Sequence, residues 1–146
     1  MSNVGKGIVA GLAATLVLSL MMLMKGAMGL MPGLDPIAMI AAMMGVSAAL
    51  AWAVHFMIGV VLWGGGFAVV QTSLPGKQFW VRGVLFAIGA WLIMMVVMMP
   101  MAGVGVFGMS LGMMAPVMTL VMHVVFGAVL GGVYGALVKR EVVARA

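Results

Sequence analysis

The two histidines of this 146-residue chain, His55 and His123, are the side chains best suited to chemistry. Each begins an apolar run, HFMIGVVLWG at 55–64 and HVVFGAVLGG at 123–132. After the histidine, the two runs share Gly, Val, Leu and Gly at matching positions. Ionisable side chains are costly inside a membrane helix, so a pair at matching positions predicts a functional site.

A b-type haem is one ligand that such a pair would suit. Two imidazoles at similar depth on facing helices can hold the haem iron from opposite sides. Gly59 and Gly127 lie one helical turn beyond the histidines, where the edge of a macrocycle needs small neighbours. The alternative is that the histidines only hydrogen-bond to adjacent helices and the glycines serve helix packing. Hydroxyl partners for such bonds are present in two of the apolar stretches: Thr15, Ser19 and Thr119.

Copper is the other candidate ligand, because the chain contains 20 methionines. They cluster at 21–44 and 94–122, and thioethers are soft ligands that suit Cu(I), as does imidazole. A spacing of four residues places two sulfurs on one helix face. Two such pairs are candidate copper ligands together with the histidines: Met94 with Met98, and Met118 with Met122. The alternative is that these flexible side chains simply fill apolar gaps.

The composition places the chain in a membrane and excludes several kinds of enzyme. Hydrophobic residues make up 66% of the chain and charged residues 6%, with a mean hydropathy of +1.36. A water-soluble domain carries about a quarter charged residues. Asp35 and Glu141 are the only acids and there is no cysteine, so neither a carboxylate pair nor a thiolate nucleophile is available. We therefore expect a membrane protein that is not an enzyme.

Four stretches are apolar and long enough to cross a bilayer, which takes about 20 residues as a helix. They cover residues 7–24, 47–70, 80–99 and 116–138. The sequence predicts one all-α membrane domain over 1–146, built as two tandem helix–loop–helix repeats at 7–70 and 80–138. A short interfacial helix is predicted in the first loop, because Asp35 is a good N-cap and Pro36 a good first helical residue.

The basic residues predict the orientation of these helices. Six of the seven lie before the first stretch, between the second stretch and the start of the third (Lys77 and Arg82), or after the fourth, and only Lys25 lies on the other side. By the positive-inside rule both termini are cytoplasmic and the two longer loops face outward. The net charge of +5 is then a topology signal, and we expect no nucleic-acid partner. We expect the lipid bilayer to be one partner of the chain. The uncharged loop at 101–115 favours other membrane subunits, or a second copy of the chain, as further partners.

Four segments carry a resemblance to a known family: LMPGLDPIAMIAAMMG, AVHFMIGVVLWG, VRGVLFAIGAWLIMMVVMMPMAGVGVFG and APVMTLVMHVVFGAVLGGVYG. From about residue 7 to residue 138 the chain resembles a family of small bacterial inner-membrane proteins, a domain of unknown function. The resemblance implies a four-helix membrane protein of a bacterium and implies no activity. We predict an accessory or assembly subunit of a larger inner-membrane complex, with a haem-binding electron carrier and a copper-binding or copper-translocating protein as alternatives.

Overall fold

Four long apolar helices make up most of the computed structural model, which describes residues 1–145. A short helix lies between the first two long ones, and the described residues form no strand. In chain order the four long helices and the short one are α1 (Asn3–Ala27), α2 (Pro36–Met44), α3 (Ala48–Val70), α4 (Phe79–Met101) and α5 (Met114–Ala144). A 3-10 segment at Val106–Leu111 lies in the loop between α4 and α5. The predicted all-α class with four spans is therefore confirmed, and α1 and α5 extend beyond the predicted stretches at both ends.

Helix α2 begins where Asp35 and Pro36 predict, and it ends at a glycine. The Asp35 carboxylate accepts hydrogen bonds from the backbone N–H groups of Ile37 and Ala38, at 3.0 and 3.1 Å. Pro36 occupies the first turn, where its missing N–H is not needed. Gly45 ends the helix in the left-handed region with a φ of 64°, a conformation that costs glycine little.

Glycines allow the long helices to pack closely in two pairs. Helix α1 packs against α3 where Gly11 and Gly64 meet, and a Cβ on Gly64 would lie 2.9 Å from the Cα of Gly11. Helix α4 packs against α5 in the same way, and a Cβ on Gly83 would lie 2.9 Å from the Cα of Gly131. Small residues of this kind let helix backbones approach within a membrane. Because α1 also packs against α5, the order across the bundle is α3, α1, α5, α4.

Met1 and Arg145, the first and last described residues, lie at one end of the bundle, which we call the terminal end. There the Glu141 carboxylate of α5 pairs with Lys6 of α1 and with Arg145, and lies 3.7 Å from the N-terminal amine. These contacts join the first helix to the last. The opposite end contains residues 28–47 and 102–113, and we call it the loop end.

The two outermost helices, α3 and α4, contact each other towards the terminal end through aromatic side chains. The ring of Phe86 in α4 packs against Trp63 and Phe67 of α3, with ring centroids 5.8 and 5.6 Å apart. Each of these helices also contains a π-helical segment, at Ile58–Gly65 and at Met94–Met98. Segments of this kind are rare and occur frequently at functional sites. Nothing in the hydrophobic pattern of the sequence indicated them.

Candidate functional site

A cavity of about 280 Å³ lies between α3 and α4 in the half of the bundle nearer the loop end. Helices α1 and α5 form its back wall, and α2 contributes the wall at the loop end. Both π-helical segments border it. His55 and His123 both line this cavity, so the fold brings the two predicted site residues together. Seven methionines line it with them: Met22, Met39, Met43, Met94, Met98, Met99 and Met122.

The imidazole of His55 is held by a hydrogen bond to α1. Its Nε2 atom lies 3.1 Å from the hydroxyl oxygen of Ser19. The indole of Trp52, one turn earlier on α3, packs edge-on against the ring with centroids 5.6 Å apart. The other ring nitrogen, Nδ1, has no hydrogen-bond partner among the described residues. The Ser19 hydroxyl can donate to Nε2 or accept from it, and the lone pair of Nδ1 is free to bind a ligand in the tautomer that carries the hydrogen on Nε2.

The imidazole of His123 is held by its own helix. Its Nδ1 lies 2.8 Å from the backbone carbonyl oxygen of Thr119. A carbonyl can only accept, so Nδ1 carries the hydrogen, and the Nε2 of the neutral ring holds the lone pair. Nε2 has no hydrogen-bond partner within residues 1–145. Histidines that ligate metals typically donate their other N–H to a carbonyl in this manner, which fixes the ring.

Thr119 also ties the His123 turn to α4. The indole N–H of Trp91 donates to the Thr119 hydroxyl at 3.0 Å, and that hydroxyl donates to the carbonyl of Ala115 at 2.8 Å. The Trp91 ring packs against Phe107 in the second loop, with centroids 5.7 Å apart. A chain of contacts thus links α4 and the second loop to the backbone group that orients His123.

We expect Trp91→Phe to lower the free energy of unfolding by about 0.5 to 1.5 kcal/mol, because it leaves the Thr119 hydroxyl without its donor. Thermal or denaturant unfolding of the purified protein in detergent would measure the change. Trp63→Phe is the matched control, since the Trp63 indole N–H makes no hydrogen bond to a described residue. Equal losses for both variants would show that the hydrogen bond contributes nothing.

A family model matches residues 1–144 of the chain. The chain belongs to DUF6789, a family of unknown function. The predicted resemblance to a membrane family of unknown function is thereby confirmed. No curated protein and no solved structure matches the chain.

The remaining predicted site residues divide between the cavity and helix interfaces. Gly59, Met94, Met98 and Met122 line the cavity with the histidines. Gly127 does not, because it lies in the interface between α5 and α4, where a Cβ would lie 2.7 Å from that of Ala87. Met118 packs in the apolar clusters at the loop end instead of lining the cavity.

Four cavity methionines were not predicted as site residues: Met22, Met39, Met43 and Met99. A signal for two of them was present in this DUF6789 sequence. Met39 and Met43 are four residues apart in the segment predicted as a short helix, the spacing that places side chains on one face. The position of that helix over the cavity depends on tertiary packing, which the spacing does not report.

The donor set at the cavity is soft and carries no negative charge. Residues 1–145 contain no group of three or more His, Cys, Asp or Glu side chains that could hold a metal ion. The available ligands are two imidazole nitrogens and several thioether sulfurs. Such ligands suit Cu(I) far better than they suit magnesium, calcium or manganese, which prefer oxygen.

Proposed function

We propose that this protein is a non-enzymatic membrane protein that binds Cu(I) in the cavity between α3 and α4. The ligands are Nδ1 of His55, Nε2 of His123 and thioether sulfurs of the cavity. One observation carries the proposal. The two histidines line the same cavity, and each has one ring nitrogen held by a protein oxygen and the other without a protein partner.

The chemistry of these donors favours Cu(I) over the other common transition metals. Zinc sites in proteins are mostly built from thiolates, imidazoles and carboxylates. The cavity offers no thiolate or carboxylate, and the chain as a whole has no cysteine. Thioethers and imidazole suit the soft Cu(I) ion. Cu(I) has a single positive charge, so it needs a negatively charged ligand less than a divalent ion does.

A b-type haem is the second candidate, favoured because the two histidines come from different helices and border one space. Two features support an ion instead. The cavity volume of about 280 Å³ lies at the lower end of the range for organic-ligand pockets, which occupy roughly 300–1,000 Å³. In the tautomer that carries the hydrogen on Nε2, the lone pair of His55 is on Nδ1, which adjoins the ring carbon that carries Cβ, so a flat macrocycle bound there would collide with the residue's own Cβ.

We further propose that the protein lies in a bacterial inner membrane as an accessory subunit, with both termini cytoplasmic. The distribution of the basic residues supports this orientation, which would place the cavity in the outer half of the bilayer. Uncharged side chains at the loop end support a membrane partner. Four of them are about half or more exposed: Met101, Val106, Met109 and Met113. Co-purification with a larger complex in mild detergent tests this role, and a lone protein from native membranes would contradict it.

Cu(I) titration of the purified protein under reducing, anaerobic conditions tests the ligand, with a coloured Cu(I) chelator as competitor. We expect one Cu(I) ion to bind per protein molecule, and we expect no Soret band in protein purified from haem-replete cells. The double variant Met94→Leu, Met98→Leu should weaken binding at least about tenfold, because it removes two cavity sulfurs. The matched control is Met24→Leu, Met57→Leu, whose methionines are 55% and 59% exposed and lie outside the cavity. No copper above background would end the proposal, and a Soret band would replace it with haem.

A further inference from the structure

Lys25 is a buried cation near the end of α1 that has no acidic partner. Its side chain is largely buried, with 8% of the residue exposed. The ammonium donates to three backbone carbonyls of the first loop, those of Leu30, Met31 and Leu34, at 3.1, 3.1 and 2.6 Å. An ammonium has three protons, so this set of acceptors uses all of them. The loop is folded around one charged group.

The segment that Lys25 holds leads directly into α2. Leu34 is 1% exposed and packs with Met95 and Met99 of α4. Asp35 then caps α2, so the position of the Leu34 carbonyl fixes where the helix begins. At its other end, α2 is joined to α3 by the short turn at residues 45–47.

Helix α2, whose start is held by the contacts of Lys25, covers the loop end of the cavity. Its inner face places Ile40 in an apolar cluster with Met22 and Met122, which belong to α1 and α5. The same helix places Met39 and Met43 at the cavity itself. The loop-end wall of the site is therefore the short helix α2, which is held at its start by Lys25 of α1.

We infer that Lys25 is a positioning residue for the cavity, and that the Met39 and Met43 thioethers are further copper donors placed by it. The assignment of these sulfurs as donors rests on the proposed function, whereas the positioning of α2 stands without it. Arginine cannot replace Lys25 fully, because a planar guanidinium spreads its donors in a fixed fork, and three carbonyls here converge on one nitrogen.

Cysteine labelling tests the positioning role directly, since the natural chain has no cysteine. Ile40→Cys introduces a thiol at a site that is 8% exposed, and Met44→Cys introduces one on the same helix at a site that is 55% exposed. With Lys25 present, a water-soluble maleimide should label the thiol at position 40 slowly and the thiol at position 44 quickly. In Lys25→Met, labelling at position 40 should accelerate at least about tenfold, because the loop loses three charge-assisted hydrogen bonds.

Two further variants serve as controls for Lys25→Met. Lys77→Met, which removes an exposed lysine at the terminal end, should leave the labelling rate at position 40 unchanged. Lys25→Arg should give an intermediate rate, and it serves as the test if Lys25→Met does not fold. An unchanged rate at position 40 in the Lys25 variants would overturn the positioning role, whether or not copper binds.

Cu(I) titration of Met39→Leu, Met43→Leu tests the donor assignment separately. We expect at least about a tenfold loss of affinity with the labelling rate at position 40 unchanged. Native affinity in this variant would remove the two sulfurs from the ligand set and leave the proposed function in place. Failure of the unaltered protein to bind Cu(I) would instead end the proposed function, and the labelling result would still decide the role of Lys25.

Discussion

Gly131→Ala is expected to lower the free energy of unfolding by about 1–3 kcal/mol, whereas Gly132→Ala at the next position should leave it unchanged or raise it slightly. A Cβ on Gly131 would lie 2.8 Å from the Cα of Trp80 and would also collide with the carbonyl of Phe79. These are backbone atoms of α4, so relief requires the two helices to separate. At Gly132 no atom lies within 4 Å of the added carbon.

Unfolding in detergent by heat or by a denaturing surfactant would measure both variants. A second matched pair exists on the facing helix α4, where Gly83 meets α5 closely and Gly89 has no neighbour within 4 Å of an added Cβ. Gly83→Ala should therefore destabilise the protein and Gly89→Ala should not. If the members of each pair behaved alike, close packing at these glycines would not be what holds α4 against α5.

The double variant His55→Leu, His123→Leu is expected to reduce Cu(I) affinity at least about a hundredfold, because loss of a residue that merely orients a metal ligand already costs roughly 10- to 100-fold. Each single variant should bind more weakly than the unaltered protein and more tightly than the double variant. Leucine keeps the cavity apolar and of similar size, so folding should be retained. Thermal unfolding without copper provides the check.

Ser19→Ala separates ligation from positioning at this site. The substitution removes the hydroxyl that holds Nε2 of His55 and leaves the imidazole in place. We expect a smaller loss of Cu(I) affinity than for His55→Leu, since the ligand remains but is no longer oriented. Native affinity in the double histidine variant would contradict the proposed site, and equal losses for Ser19→Ala and His55→Leu would assign Ser19 more than an orienting role.

The spans and the short helix could be predicted because local sequence decides them. A bilayer requires continuous apolar stretches, and an Asp–Pro pair followed by apolar residues starts a helix through contacts within a few residues. The π-helical segments were not predictable in this way. They replace the usual helical hydrogen bonds within Ile58–Gly65 and Met94–Met98, where the sequence still has ordinary apolar composition.

The equivalence of Gly59 and Gly127 in sequence did not predict their different surroundings. Gly59 borders the cavity and packs on the Thr15 side chain of α1, whereas Gly127 packs against Gly83 and Ala87 of α4. Each glycine follows its histidine by the same spacing, but the helix that faces it differs. A spacing within one helix carries no information on which neighbour that helix meets, so haem clearance and helix packing could not be distinguished from it.

The sequence by itself determined that this chain is a four-helix membrane protein with two histidines in its apolar segments and methionines on either side of them. Hydrophobic length and residue chemistry suffice for that, because the bilayer acts on each segment separately. Only the tertiary structure decided that both histidines open onto one cavity, which nitrogen of each makes no hydrogen bond to a described residue, and that Lys25 and α2 complete the cavity wall. These features depend on which helices pack together and at what register, and that is set by contacts between residues far apart in the chain.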